Sequence, residues 1–447
     1  MSRRLSIFAT GILILFLVVA AQALNVQFFK SKHLDASPIN PRNTVGMSLY
    51  ARGRIYAADG QILAESVPTT NGYSPWRRVY PLGSLTSDVV GFSSPTYGNW
   101  AIEGEYNSYL EAHAQAPQNF AQLLAPTTAA DSVTLTLYPQ LQGIARYMMR
   151  GQDGAEVILD PKTGAVLSMY SNPNYDPAPL ESTIFATAAA AWKHDTTGDH
   201  LGFEPLANLA TQADFFPGSS FKVITTATAV ADKPSLLNKV YPTAVTIHLP
   251  DTNKTLSNFG LSQCGGTIAE MLPPSCDTGF ALVGLDEGAS LLSTMANAFG
   301  FNKTPPLDLS EKVHANFPKA STFKYNLPGV AYSAIGQENV QETALQNALV
   351  AATIANGGVQ MTPHLLDYVT APDGQVVYRY KAHKYLTPLT PTQDAQIVPL
   401  MQAVVQRGTA YGIFPSFLNA AAKTGTAQIG NAAHQLDDWL IAFAPAN

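Results

Sequence analysis

The sequence predicts a mixed α+β protein with an N-terminal strand-and-loop domain and one transmembrane helix, and three stretches carry that prediction. Residues 5–24 form an apolar run long enough to cross about 30 Å of hydrocarbon as a helix. Residues 155–159 and 165–170 flank Asp160-Pro161-Lys162-Thr163-Gly164, the pattern of a β-hairpin. Phe216-Pro217-Gly218 is a turn signal leading into residues 223–231, a breaker-free run that is apolar on every side and so reads as a buried helix. At 447 residues the chain exceeds what one core usually supports, so two domains with appendages are expected. Charged residues make up 13% and the net charge is −6, which excludes a basic nucleic-acid surface and gives no sign of long disorder.

Taken in order, Arg3 and Arg4 precede the apolar run, which favours a cytoplasmic stub at 1–4, an anchor at 5–24 and export of the rest. The competing reading is a cleaved signal peptide, since Ala21-Gln22-Ala23 is a small-x-small site. Residues 25–130 are rich in Pro, Gly, Ser and Asn between short apolar alternations, as expected of strands and loops. Within them, Asp59-Gly60 is a turn between the strand candidates at 52–55 and 61–64. The signal changes at Val133-Thr134-Leu135-Thr136-Leu137, and residues 139–149 fit a helix with Pro139 in its first turn, so the domain boundary is expected near 131. Cys264 and Cys276 make no metal site by spacing; in an exported chain they most simply form one disulfide, the alternative being two buried thiols. No metal or nucleotide cofactor is implied.

The chemistry concentrates around Ser219. Positions three apart share a helical face, so Lys222 lies beside the Ser219 hydroxyl. A serine attacks only when a neighbour takes its proton, and a lysine whose ammonium is destabilised by burial and nearby cations does this. S-x-x-K alone is a weak signal. Two further motifs follow in order: Ser275-Cys276-Asp277, then Ala422-Lys423-Thr424-Gly425-Thr426-Ala427.

This ordered set resembles that of the class B penicillin-binding proteins, membrane-anchored peptidoglycan D,D-transpeptidases, and above all their shorter actinobacterial A type. Similar stretches run through nearly the whole chain: Arg52-Gly53-Arg54-Ile55, Tyr80-Pro81-Leu82-Gly83, Ile102-Glu103, Asn172-Pro173-Asn174-Tyr175-Asp176-Pro177, and Gly336-Gln337-Glu338-Asn339 through Gly357-Gly358, which resembles a structural helix across the back of the domain. The resemblance implies an antiparallel sheet flanked by helices plus an all-helical subdomain over 131–447, and a pedestal or dimerisation-like domain over 25–130.

It also implies the roles. Ser219 is the nucleophile, Lys222 its base, and Ser275 a proton relay. Lys423 offers charge to a terminal carboxylate, with Asp277, Thr424, Gly425 and Thr426 lining the substrate. The Ser219 and Thr426 N–H groups form the oxyanion hole. The expected partners are stem peptides ending in D-Ala-D-Ala, β-lactams as their mimics, the membrane, and a polytopic lipid II polymerase. In the family a further strand and helix follow the hairpin partner of the K-T-G strand, so residues 438–445 and an end at Asn447 imply that these are missing. A β-lactamase shares the three motifs but usually lacks pedestal and anchor. A scaffold or β-lactam sensor of the same fold is a second alternative, kept open by Asp277 in place of the family's Asn.

Overall fold

The computed structural model describes residues 50–70, 75–114, 128–199, 201–310, 312–428 and 436–446, together with residues 11, 12, 15, 16, 19 and 22 near the N-terminus. The stub at 1–4 and most of the apolar run at 5–24 lie outside the described residues. Among the described residues, no helix is long and apolar enough to cross a membrane.

The main strands are β1 (Ile55–Tyr56), β2 (Ile62–Pro68), β3 (Trp76–Val79), β4 (Ser132–Leu135), β5 (Gly154–Leu159), β6 (Val166–Asn172), β7 (Thr246–His248), β8 (Thr255–Ser257), β9 (Leu366–Thr370), β10 (Val376–Arg379), β11 (Ala421–Gln428) and β12 (Leu436–Phe443). The helices that matter for the site are α1 (Pro139–Met148), α2 (Lys222–Asp232), α3 (Asp277–Glu287), α4 (Ala344–Ala355) and α5 (Pro391–Arg407).

Local chemistry explains many of these boundaries. Gly60 at φ 84° and the Asp59 carboxylate, which accepts the Gln61 N–H at 3.0 Å, close the turn between β1 and β2. Asp160 caps its own turn in the same way, accepting the Lys162 N–H at 2.9 Å, with Gly164 at φ 82°. Thr343 caps α4 through the Gln346 N–H, and Thr390 with Gln393 forms a capping box on α5.

A six-stranded sheet runs β10-β9-β4-β1-β2-β3, with β1 and β4 parallel and its other pairs antiparallel. Two of its strands come from residues 366–379, so the chain returns to the N-terminal layer late in the sequence. The core follows: Ile55, Leu63, Val133, Val166, Leu345 and Leu366 bury one another across the expected boundary. Arg52 and Arg78 sandwich Glu103 there, at 3.0 and 2.6 Å, all nearly or fully buried.

The hairpins β5–β6 and β11–β12 are separate two-stranded sheets, and α4 packs against both. Helix α2 is buried along nearly its whole length, in a second cluster with Phe299, Phe317, Ile397 and Met401. A third cluster joins α3 to α5 through Phe280 and Val404.

Candidate active site

Pro217 and Gly218 turn the chain into a single 3₁₀ turn, Gly218–Phe221, which continues directly into α2. Ser219 therefore sits half-buried on that turn, with Lys222 three residues on and fully buried. Strand β11 lies against the turn at backbone contact. A Cβ on Gly218, which has φ 52°, would stand 2.6 Å from the Thr426 carbonyl oxygen, and one on Gly425 would stand 2.6 Å from that of Pro217. Only glycine fits at either place. Gly336 completes the seat, its carbonyl accepting the Gly218 N–H at 2.9 Å.

The Lys222 amine is the hub. Its Nζ donates to Ser219 Oγ at 2.9 Å, to the Ser275 carbonyl at 2.8 Å, and to Asp277 Oδ1 at 2.7 Å, with Ser275 Oγ at 3.3 Å. Lys423 Nζ donates to Ser275 Oγ at 2.8 Å and to the Thr424 carbonyl at 2.7 Å. The Ser275 hydroxyl thus stands between the two amines, as a group that passes a proton must. Its backbone is in the left-handed region at φ 63°, uncommon for a serine. The conformation is held by Lys222, by the Cys276 N–H on the Met271 carbonyl, and by the Cys264–Cys276 disulfide.

Burial pushes the Lys222 ammonium below the ordinary lysine value, and Asp277 partly offsets this. Lys423 is pushed down well below its ordinary value, by burial first and by the neighbouring Lys222 second. An amine that sheds its proton readily beside a serine hydroxyl is the arrangement that makes serine nucleophilic.

Lys423 is fully buried with its amine on Ser275, and hydroxyls line the cleft beside it, Thr424 bonded to Thr409 and Thr426 to Asp438 at 3.0 Å. Asp277 borders the cleft, and its carboxylate bridges Lys222 and the Phe259 N–H, the latter at 3.1 Å.

The cleft has a volume of about 920 Å³ and is lined by Ser219, Ser275, Asp277, Thr424 and Thr426, and also by residues 255–262, Tyr332, Ile335, Gln337 and Thr409. Sequence reasoning missed this second set apart from Gln337, since no local motif marks the others. It also missed the buried Glu342, which accepts the Ser220 hydroxyl at 3.3 Å, and Asp437, which accepts the Phe216 N–H at 3.1 Å. Gly336-Gln337 was visible but was assigned to the back of the domain.

Residues 154–447 match the penicillin binding protein transpeptidase domain, and residues 52–132 match the penicillin binding protein A dimerisation domain. The chain is 34% identical to the peptidoglycan D,D-transpeptidase PbpA of Mycolicibacterium smegmatis, over 98% of this chain and 90% of that protein. PbpA of Mycobacterium tuberculosis is 33% identical over 99% and 90%. Among solved structures, penicillin-binding protein A from M. tuberculosis as an imipenem acyl-enzyme complex superposes with a TM-score of 0.80 at 32% identity, covering 90% of this chain and 92% of that one. Its penicillin G acyl-enzyme complex gives 0.77, also at 32%, over 89% and 91%. Likeness of this extent, running through both halves of the chain and through the cleft that holds Ser219, makes the protein a member of the penicillin-binding protein transpeptidase family.

Proposed function

We propose that this protein is a peptidoglycan D,D-transpeptidase working through an acyl-enzyme at Ser219. The observation that carries the reading is the contact between the fully buried Lys222 amine and Ser219 Oγ at 2.9 Å, in a cleft where Ser275 links Lys222 to Lys423. Neutral Lys222 takes the hydroxyl proton as Ser219 Oγ attacks the penultimate D-Ala carbonyl. The N–H groups of Ser219 and Thr426 receive the oxyanion. When the tetrahedral centre collapses, the C–N bond breaks and Ser275 delivers a proton to the departing D-alanine amine, drawing on Lys222 and Lys423. An amine of a second stem peptide then attacks the ester and restores Ser219. The Thr424 and Thr426 hydroxyls orient the donor's terminal carboxylate, and Gly425 admits its backbone. β-Lactams acylate Ser219 by the same route.

Residues 5–24 anchor the chain in the plasma membrane with both larger regions outside. The region ending near 130 is a pedestal, the remainder catalyses, and a polytopic lipid II polymerase is the membrane partner. These assignments are supported by the apolar run with its flanking arginines and by the family resemblance. A second reading is favoured by one contact. The Asp277 carboxylate, 2.7 Å from Lys222 Nζ, favours the ammonium form and opposes the effect of burial, which suits a slowly acylating scaffold or β-lactam sensor.

The test is turnover. A peptide donor ending in D-Ala-D-Ala, offered with a D-amino acid as acceptor, releases D-alanine and yields the exchanged product with wild type but not with Ser219→Ala. Covalent penicillin binding without exchange selects the sensor, and neither outcome in wild type refutes both readings.

A further inference from the structure

Strand β12 brings an acidic group to the edge of the cleft. Asp438 stands directly across the ladder from Thr426, and its exposed carboxylate accepts the Thr426 hydroxyl at 3.0 Å. Thr426 in turn lines the cleft that holds Ser219. Side chains alternate along a strand, so the chain neighbours of Asp438 leave this face. Asp437 accepts the Phe216 N–H at 3.1 Å, and Trp439 Nε1 donates to the Phe216 carbonyl at 2.9 Å. A threonine hydroxyl carries one hydrogen. Once that hydrogen is given to Asp438, an incoming carboxylate meets the lone pairs of Thr426 and a like charge beyond them. Lys423 does not offset that charge. Its Nζ donates to Ser275 Oγ and to the Thr424 carbonyl, and burial pushes its ammonium well down.

We infer that Asp438 is a specificity-determining residue that biases the site against acyl donors whose terminal carboxylate reaches Thr426. The inference rests on the acyl-transfer reading, in which the Thr424 and Thr426 hydroxyls orient that carboxylate. To bind there, an anionic donor must take the Thr426 hydrogen from Asp438, and two carboxylates then face one hydroxyl. A donor with an uncharged group at the same place leaves the bond between Thr426 and Asp438 intact and meets no repulsion. Asp438 therefore discriminates between donors by charge, and it does so without touching Ser219, Lys222 or Ser275.

The test compares benzylpenicillin, which carries a carboxylate, with its methyl ester, which does not, through their second-order acylation rate constants on the full chain. Asp438→Asn removes the charge and keeps an oxygen for the Thr426 hydroxyl, whereas Asp438→Ala removes both. Both variants raise the benzylpenicillin constant about fivefold, the size of a like-charge contact at about 4 Å in water, and move the ester's by less than about twofold. Salt gives a second measurement that needs no ester: going from about 20 to about 500 mM KCl screens an exposed charge, so the advantage of Asp438→Asn over wild type shrinks. Asp438 is exposed, and unchanged melting curves certify the fold. If benzylpenicillin acylates wild type and the variants keep its constant within about twofold, or raise the ester's equally, or hold their advantage at high salt, the role of Asp438 is refuted and the acyl-transfer reading stands. If benzylpenicillin does not acylate wild type, the acyl-transfer reading fails and this inference with it.

Discussion

Replacing Asp277 by Asn isolates the charge that partly offsets the effect of burial on the base. Asp277 Oδ1 lies 2.7 Å from Lys222 Nζ, with the lysine side chain fully buried and the aspartate 16% exposed. Two unit charges about 4 Å apart attract with about 4 kcal/mol at the effective dielectric of such sites. Since 1.36 kcal/mol is a factor of ten in a protonation equilibrium, withdrawing even half of that attraction raises the neutral fraction of Lys222 more than about tenfold wherever the ammonium dominates. An Asn amide still accepts the Phe259 N–H through its oxygen and donates to a neutral amine through its nitrogen, so the local geometry survives. The sign follows. Acylation needs neutral Lys222, so its rate rises with pH through the titration of that amine, and the variant's acid limb lies at lower pH. Stopped-flow acylation by benzylpenicillin across pH 5–9 reads this directly. The expected result is a rate gain of about tenfold on the acid side that vanishes on the alkaline plateau. An acid limb that stays in place, or a uniform loss of rate, refutes the role given to the ion pair.

Lys222→Ala lowers the acylation rate by about 10²–10⁴, and Lys222→Arg does not restore it because a guanidinium keeps its proton, both measured with the same β-lactam. Glu103→Ala leaves Arg52 and Arg78 buried without their carboxylate and costs about 3–5 kcal/mol, read from urea midpoints at neutral pH. Burial pushes the Glu342 carboxyl up to about 8, whereas in the unfolded chain it titrates near about 4.3. The folded state therefore keeps a proton that the unfolded chain releases, and this group's contribution falls as pH rises between those values. Glu342→Gln removes that slope, seen as a smaller loss of melting temperature from pH 5 to pH 8.

What the sequence showed was local. Ser219 and Lys222 are three residues apart on one helical face, so their contact needs no tertiary knowledge. The turns at Asp59-Gly60 and Asp160–Gly164 are set by Gly conformation and by an aspartate bonding the backbone two residues on. Residues 423–426 read as a strand because polar positions there interrupt an apolar stretch. What stayed hidden depends on distant segments. Gly336 matters because Gly218 presses on its Cα, and the left-handed Ser275 exists because Lys222, Met271 and a disulfide hold it. Strand β1 has a two-residue ladder, too short to show a period, and it joins β4 in parallel from across the chain. The turn of Asp277 toward Lys222 was hidden for the same reason. The motif set implies a carboxylate near two lysines, and only packing decides which one it meets.

The central claim is that Ser219 carries the acyl group, and intact-mass spectrometry of the full chain after brief exposure to benzylpenicillin tests it most directly. One added penicillin mass, mapped by proteolysis to the peptide containing Ser219 and absent from a Ser219→Ala variant with an unchanged melting curve, is the predicted result. An adduct that persists in Ser219→Ala, or that maps to another residue in wild type, contradicts it.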